Sequence, residues 1–233
     1  MKLRPLDPTH RLSVDLLGFA RRLGILKALD PGPAAPRSPT LLIVGDGCPD
    51  NRSLLVVAHA LNGEGRKVID LVFPKVKREG IYDHLHEYVE LGYRRLVLVI
   101  DQEEDRIDDL LESLKRRIIG RVLDAKVEDR TITAPTNLGQ YGEAELMIIV
   151  NGLNDARFTK HTIEDHLLKA AEVLGLLTIK EPVNPKEEWN KLPKETQLRI
   201  FKELVARKSM VKELFKQHIH TLKKAAEQPP HNS

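Results

Sequence analysis

At 233 residues, 41% hydrophobic and 30% charged, the chain is long enough for one large domain or a domain with an appendage, and its composition suits a globular protein and not a disordered one. A formal net charge of +3 is too small to identify a partner, and the single cysteine, Cys48, excludes an internal disulfide and a cysteine-based zinc cluster. No apolar run approaches the roughly 18 residues of a membrane span, and the charged start (Lys2, Arg4, Asp7) leads into no apolar signal stretch, so a soluble, cytoplasmic chain without a membrane partner is expected.

Residues 11–29, RLSVDLLGFARRLGILKAL, place Leu12, Leu16, Phe19, Leu23, Ile25 and Leu26 at mostly helical spacing, which predicts an amphipathic helix. The following DPGPAAPRSP holds four prolines and one glycine and continues neither a helix nor a central strand. Residues 1–39 therefore read as an N-terminal helix and linker. Strand and helix patterns then alternate. TLLIV (40–44) predicts a buried strand, GDGCPDN a turn and SLLVVAHAL a helix. KVIDLVF (67–73) predicts a second strand, residues 80–92 a helix closed by Gly92, and RRLVLVI (94–100) a third strand. A helix is expected over 105–119, with Ile107, Leu110, Leu111, Leu114 and Ile118 on one side. RVLDAKVEDRTITA has room for a short edge strand, and ELMIIV (145–150) predicts the last strand of the core. From Thr159 onward the pattern is helical, broken at EPVNP.

Continuous apolar strands alternating with amphipathic helices imply α/β architecture: a mostly parallel, Rossmann-like sheet with helices on both faces. The α/β domain is assigned to 40–180 and a basic helical C-terminal extension to 181–233. Sites in such folds lie at the carboxyl ends of the strands, where both GDGCPD and DQEED fall.

Charge is segregated along the chain. Residues 101–112 carry seven acids and one arginine, whereas 191–224 carry ten Lys/Arg and three Glu. The acids of DQEED have two readings. Asp101 as the N-cap of the next helix, with Glu104 three residues on, makes a capping box, and acids in a first turn suit the helix dipole. Alternatively, Asp101, Glu103 and Asp105 form D-x-E-x-D off a strand end, a pattern suited to a hard divalent cation. If strands 40–44 and 94–100 are neighbours, Asp46 reaches the same space.

GDGCPDN lacks both the dinucleotide fingerprint and the P-loop lysine. By itself it reads as a turn with Asp50 opening the next helix. In KHTIEDHLL the histidines are five apart and share no face well, and Thr162 with Asp165 reads as a helix-start pair. The pairs His84/His86 and His218/His220 read as surface residues. The basic C-terminal helices suit phosphate-backbone contact, and few aromatics argue against base stacking.

Strand–acid-G-x-x-D–helix followed by strand-D-x-[DE]-x-D–helix resembles the Toprim domain shared by topoisomerases, bacterial-type primases and overcoming-lysogenization-defect nucleases. More narrowly, VIDQEEDRIDDLLESL and HTIEDHLL resemble a small family of uncharacterised prokaryotic Toprim-like proteins, over roughly residues 40–170. The resemblance implies a Mg²⁺ or Mn²⁺ cofactor. It places Asp46 as general acid/base or second-site ligand, Asp101, Glu103 and Asp105 as the metal-holding acids, Asp50 as the acid following the first motif, and Glu164 as a further ligand. Asp46 stands where the family has Glu, and Glu103 where it has Asp; charge is kept and reach altered.

The function implied is metal-dependent phosphoryl transfer on DNA or RNA, with Lys/Arg of the C-terminal helices on the backbone. No tyrosine sits where a topoisomerase nucleophile is expected, so a nuclease is favoured. The alternative is a non-catalytic nucleic-acid-binding or adaptor module with a degenerate site. A receiver-like domain phosphorylated on Asp101 ranks last, because no adjacent acid pair follows the first strand and no clear lysine follows a fifth.

Overall fold

A computed structural model of the chain describes residues 1–32, 38–45, 48–61, 67–76 and 78–227. In chain order its elements are β1 (Lys2–Pro5), α1 (Arg11–Leu23), β2 (Thr40–Val44), α2 (Cys48–Ala60), β3 (Val68–Val72), α3 (Leu85–Glu90), β4 (Arg95–Asp101) and α4 (Ile107–Arg117). There follow β5 (Arg121–Val122), β6 (Lys126–Glu128), β7 (Thr131–Asn137), β8 (Glu143–Asn151), α5 (Ile163–Val173), α6 (Pro185–Lys191), α7 (Lys194–Ala206), α8 (Lys208–Leu214) and α9 (Lys216–Ala226).

The fold is α/β and Rossmann-like. Five strands run parallel in the spatial order β1-β3-β2-β4-β8; β7 pairs antiparallel with β8, and β5 and β6 pair antiparallel with β7. The strand alternation divides each apolar run between two cores. Leu96, Leu98 and Ile100 of β4 join Leu110 and Leu114 of α4 and Leu85 and Val89 of α3. Val97 and Val99 face the other way, into a larger core built from α1, α2, α5 and α7–α9. Within that core Leu54, Leu55, Val56, Val57 and Ala58 are all buried, because α2 is covered in turn by α1, α7 and α8. A helix apolar on every side is what an inner layer demands.

Some elements differ from the local reading. The N-terminal KLRP, too short and polar to read as a strand, pairs with β3 in register Lys2↔Val68 to Pro5↔Leu71. Its Arg4 is wholly buried beside Asp70, with Nε 2.7 Å from Asp70 Oδ1, and the Tyr93 hydroxyl donates to the other carboxylate oxygen at 3.0 Å. A buried pair of this kind stands only because its partners are fixed from elsewhere in the fold. Helix α1 stops at Gly24, which takes φ +70 and donates its N–H to Ala20 and Arg21 carbonyls. Residues 121–137 form three strands instead of one short edge strand. Trp189, Ile200, Phe201, Leu204, Phe215 and Leu222 of the C-terminal helices lie in the same core as the sheet. Among the described residues no helix is long and apolar enough to cross a membrane.

Candidate functional site at the carboxyl edge of the sheet

β2 and β4 are parallel neighbours, with Val44 opposite Val99. The helix after β2 covers one face of the sheet and the helix after β4 the other. The helices that follow these two neighbouring strands therefore lie on opposite faces of the sheet, the arrangement of a topological switch point. Asp101 ends β4 on the side of Val97 and Val99. Asn151 ends β8 directly opposite it in register, on the side of Met147 and Ile149. Asp50, in the first turn of α2, comes in from the same side.

These three side chains form one hydrogen-bonded unit. Asn151 Nδ2 donates to Asp50 Oδ1 and to Asp101 Oδ1, each at 3.0 Å. Asn151 Oδ1 accepts from His218 Nε2 at 2.8 Å. Asp101 Oδ1 also accepts from the backbone N–H of Ile163, at 3.2 Å, at the first turn of α5. Lys186 of α6 completes the group, its ammonium 2.9 Å from Asp101 Oδ2 and 3.2 Å from Glu103 Oε1. Glu164 is buried, and its Oε2 has no hydrogen-bond partner among the described residues.

The electrostatics follow from the crowding. Desolvation, then the facing charges of Asp101 and Glu164, push the Asp50 carboxyl well above the usual range. Burial does the same to Glu164, reinforced by Asp101, and drives Asp165 up to about 7. Partial burial works against the Lys186 ammonium, yet Asp101 and Glu103 outweigh it and hold its pKa up. Burial takes His166 down to about 4 and His218 well below its ordinary value. A proton on His218 Nε2 suits this contact, because Asn151 Oδ1 can only accept while its NH₂ meets the two carboxylates.

Of the acids expected at this edge, Asp50, Asp101 and Glu164 are brought together, and Glu103 shares Lys186 with Asp101. Asp105 lies in the turn after β4, its N–H on Gln102 O at 3.2 Å and its carbonyl accepting from Gln102 Nε2 at 2.6 Å. Asp46 falls outside the described residues. The capping reading of Asp101 is corrected. α4 begins after Arg106, whose N–H is met by Asp109 Oδ2 at 3.4 Å, so Asp101 caps the distant α5 in place of its own successor. α5 does begin at Thr162, whose N–H donates to Asp165 Oδ1 at 3.2 Å. His218 is corrected too: it is fully buried, not on the surface. Local sequence could have flagged Asn151, a polar residue closing an apolar strand, but carries no signal for Lys186 or His218.

The scaffold around the unit is strained. Among the described residues the non-glycine positions with positive φ are Glu103 (57°), Asp129 (42°) and Arg130 (63°), all at this edge. Asp129 and Arg130 form the two-residue turn between β6 and β7, which requires positive φ at both positions. The Arg130 guanidinium donates to Asn151 O at 3.0 Å and Asn154 Oδ1 at 2.9 Å, and also to Gln102 Oε1, tying three loops together. Gly152, at φ +115, lies against His161: a Cβ there would meet His161 Cβ at 2.4 Å.

Beside the unit a groove of about 560 Å³ runs between α9 and the β6–β7 hairpin. Thr131, Thr133 and Met147 line it; Lys216, His220, Lys223 and Lys224 form one wall, and Asp124, Lys126, Glu128 and Asp129 the other. All ten Lys/Arg between 191 and 224 are exposed.

Among the described residues no three His, Cys, Asp or Glu side chains converge into a ready metal cage. What stands there is looser: two carboxylates meeting on one amide donor, with an unpartnered buried Glu164 oxygen nearby. That set fits a Mg²⁺ or Mn²⁺ held by one or two carboxylates and completed by waters and substrate phosphate. No protein-family model, curated protein or solved structure matches the chain.

Proposed function

We propose that the chain carries out metal-dependent phosphoryl transfer on nucleic acid, as a Toprim-like nuclease or processing enzyme. The observation that carries this reading is the meeting of Asp50 and Asp101 on the single Asn151 amide at the switch point, beside a buried Glu164 oxygen without a partner among the described residues. Asp50 and Asp101 would hold one Mg²⁺ or Mn²⁺, with Glu164 beside them and waters and substrate phosphate completing its shell, and the ion would supply polarisation of the phosphodiester and stabilisation of the leaving oxygen.

The protein's own groups do the rest. Asn151, fixed by His218, holds the two carboxylates at one spacing. Lys186 neutralises Asp101 and Glu103 and is long enough to turn its ammonium to a substrate phosphate. The exposed lysines of α7–α9 contact the backbone, an attraction that weakens with salt.

A second reading is favoured by one contact. Lys186 already gives Asp101 and Glu103 a cation. On that reading the chain binds nucleic acid without cutting it.

The test is Mn²⁺ and Mg²⁺ calorimetry on the wild type and Asp101→Asn, with and without an oligonucleotide, followed by cleavage assays on DNA and RNA. Wild-type binding that is lost in a folded Asp101→Asn, together with cleavage, supports the enzyme. Binding of oligonucleotide without metal uptake or cleavage moves the adaptor reading ahead. No binding of either kind at low salt removes both.

A further inference from the structure

The two edges of the sheet are treated differently. β1 is covered, because Leu29 bridges to Leu3 and Asp30 N–H donates to Leu3 O at 2.9 Å. At the opposite edge Lys126, Val127 and Glu128 of β6 pair with β7 on one side, have no strand on the other among the described residues, and are exposed. Successive residues of an antiparallel strand turn their backbone groups alternately toward the partner and away from it, so part of the β6 backbone faces outward. The same edge exposes Ile119 (44%), Leu123 (59%) and Val127 (41%), three large apolar side chains within nine residues. An apolar, unpaired edge is a template for another strand.

We infer that β6 is a self-association strand that pairs antiparallel with β6 of a second copy, about a two-fold axis through Val127. The occupant is identified by charge. In that register Lys126 lies opposite Glu128 of the second copy, twice by symmetry, and Val127 meets Val127. Sliding the register by two residues sets Lys126 on Lys126 or Glu128 on Glu128. Sliding it by one turns the side chains to opposite faces. The segment is thus complementary to itself in a single register. Lys126 and Glu128 are opposite Thr133 and Thr131 in the β6–β7 ladder and form part of the groove wall, so pairing sets the two grooves side by side across the axis.

The symmetry gives a decisive experiment on the full chain: analytical ultracentrifugation of the wild type, Lys126→Glu, Glu128→Lys and their equimolar mixture. Circular dichroism verifies that each variant is folded, as expected for exposed positions. The wild type is expected to dimerise. Each charge reversal makes two like-charge pairs and is expected to weaken dimerisation about 10-fold or more. In the mixture every cross-strand pair is opposite in charge again, and the dimer is expected to return as a heterodimer. A wild type that stays monomeric at high micromolar concentration overturns the inference. So does a dimer indifferent to either reversal, or a mixture of folded variants that does not re-associate. None of these outcomes depends on metal binding or cleavage.

Discussion

Replacing Asp165 by Asn should change how stability depends on pH, by an amount the structure sets. The Asp165 side chain is wholly buried; Oδ1 accepts from Thr162 N–H at 3.2 Å and Oδ2 from Leu153 N–H at 3.1 Å, with His161 Nδ1 also 3.2 Å from Oδ2. Burial raises the carboxyl from 3.8 to about 7, outweighing the two backbone donors and Arg130. A raised acid keeps its proton in the folded state while the unfolded chain releases it. Its contribution is therefore complete below about pH 4 and is lost as pH climbs to about 7, at roughly 1.4 kcal/mol per pH unit and about 4 kcal/mol in all. Two buried histidines act in the opposite sense. His166, taken down to about 4, and His218, lower than its ordinary value, lose stability as pH falls below about 6.5, because the unfolded chain then takes up protons. The wild-type profile is thus a composite, and only the difference between variant and wild type isolates Asp165. In the Asp165→Asn variant an amide replaces the carboxyl facing Leu153 N–H, a fixed cost of about 1–3 kcal/mol that does not vary with pH. Urea denaturation of both proteins across this range is the assay. The variant is expected to gain on the wild type by about 4 kcal/mol between pH 4 and 7, then to run parallel to it. A difference curve changing by less than about 1 kcal/mol would show that the carboxyl ionises normally and refute the reasoning.

Two further substitutions probe the same edge. Gly152→Ala combines an L-residue at φ +115 with a Cβ 2.4 Å from His161 Cβ. Strain and overpacking together are expected to cost about 3–5 kcal/mol, a fall in Tm of roughly 10 °C by scanning calorimetry, and a fall under about 2 °C would contradict the packing described. Lys186→Met removes the ammonium from Asp101 and Glu103. Because that side chain is 41% exposed, the expected loss is only about 1 kcal/mol at neutral pH. If the acids form a cation site, millimolar Mg²⁺ should restore more stability to the variant than it adds to the wild type. Equal stabilisation of the two proteins would argue that Lys186 and a metal ion do not compete.

Much of the frame was legible in local pattern. TLLIV, RRLVLVI and ELMIIV are continuous apolar runs that only a sheet covered on both faces accommodates, and they became β2, β4 and β8 as neighbours. The direction of a parallel sheet then put Asp50 and DQEED at one edge, a consequence of chain polarity alone. Hydrophobic periodicity reports which side of an element is buried, but not what it is buried against. Lys2–Pro5 became a strand beside β3, where Asp70, itself held by the Tyr93 hydroxyl, gives Arg4 a buried partner 66 residues away in sequence. Asp101 and Glu103 found their cation in Lys186 and Glu104 in Lys160, and Asp101 found its helix terminus in α5 rather than in the helix that follows it. Asn151 and His218 came together because β8 is covered by α9. These pairings depend on long-range juxtaposition, which the sheet order decides and no window of residues contains; tertiary structure alone made a polar residue at the end of a strand into the joint of a candidate site.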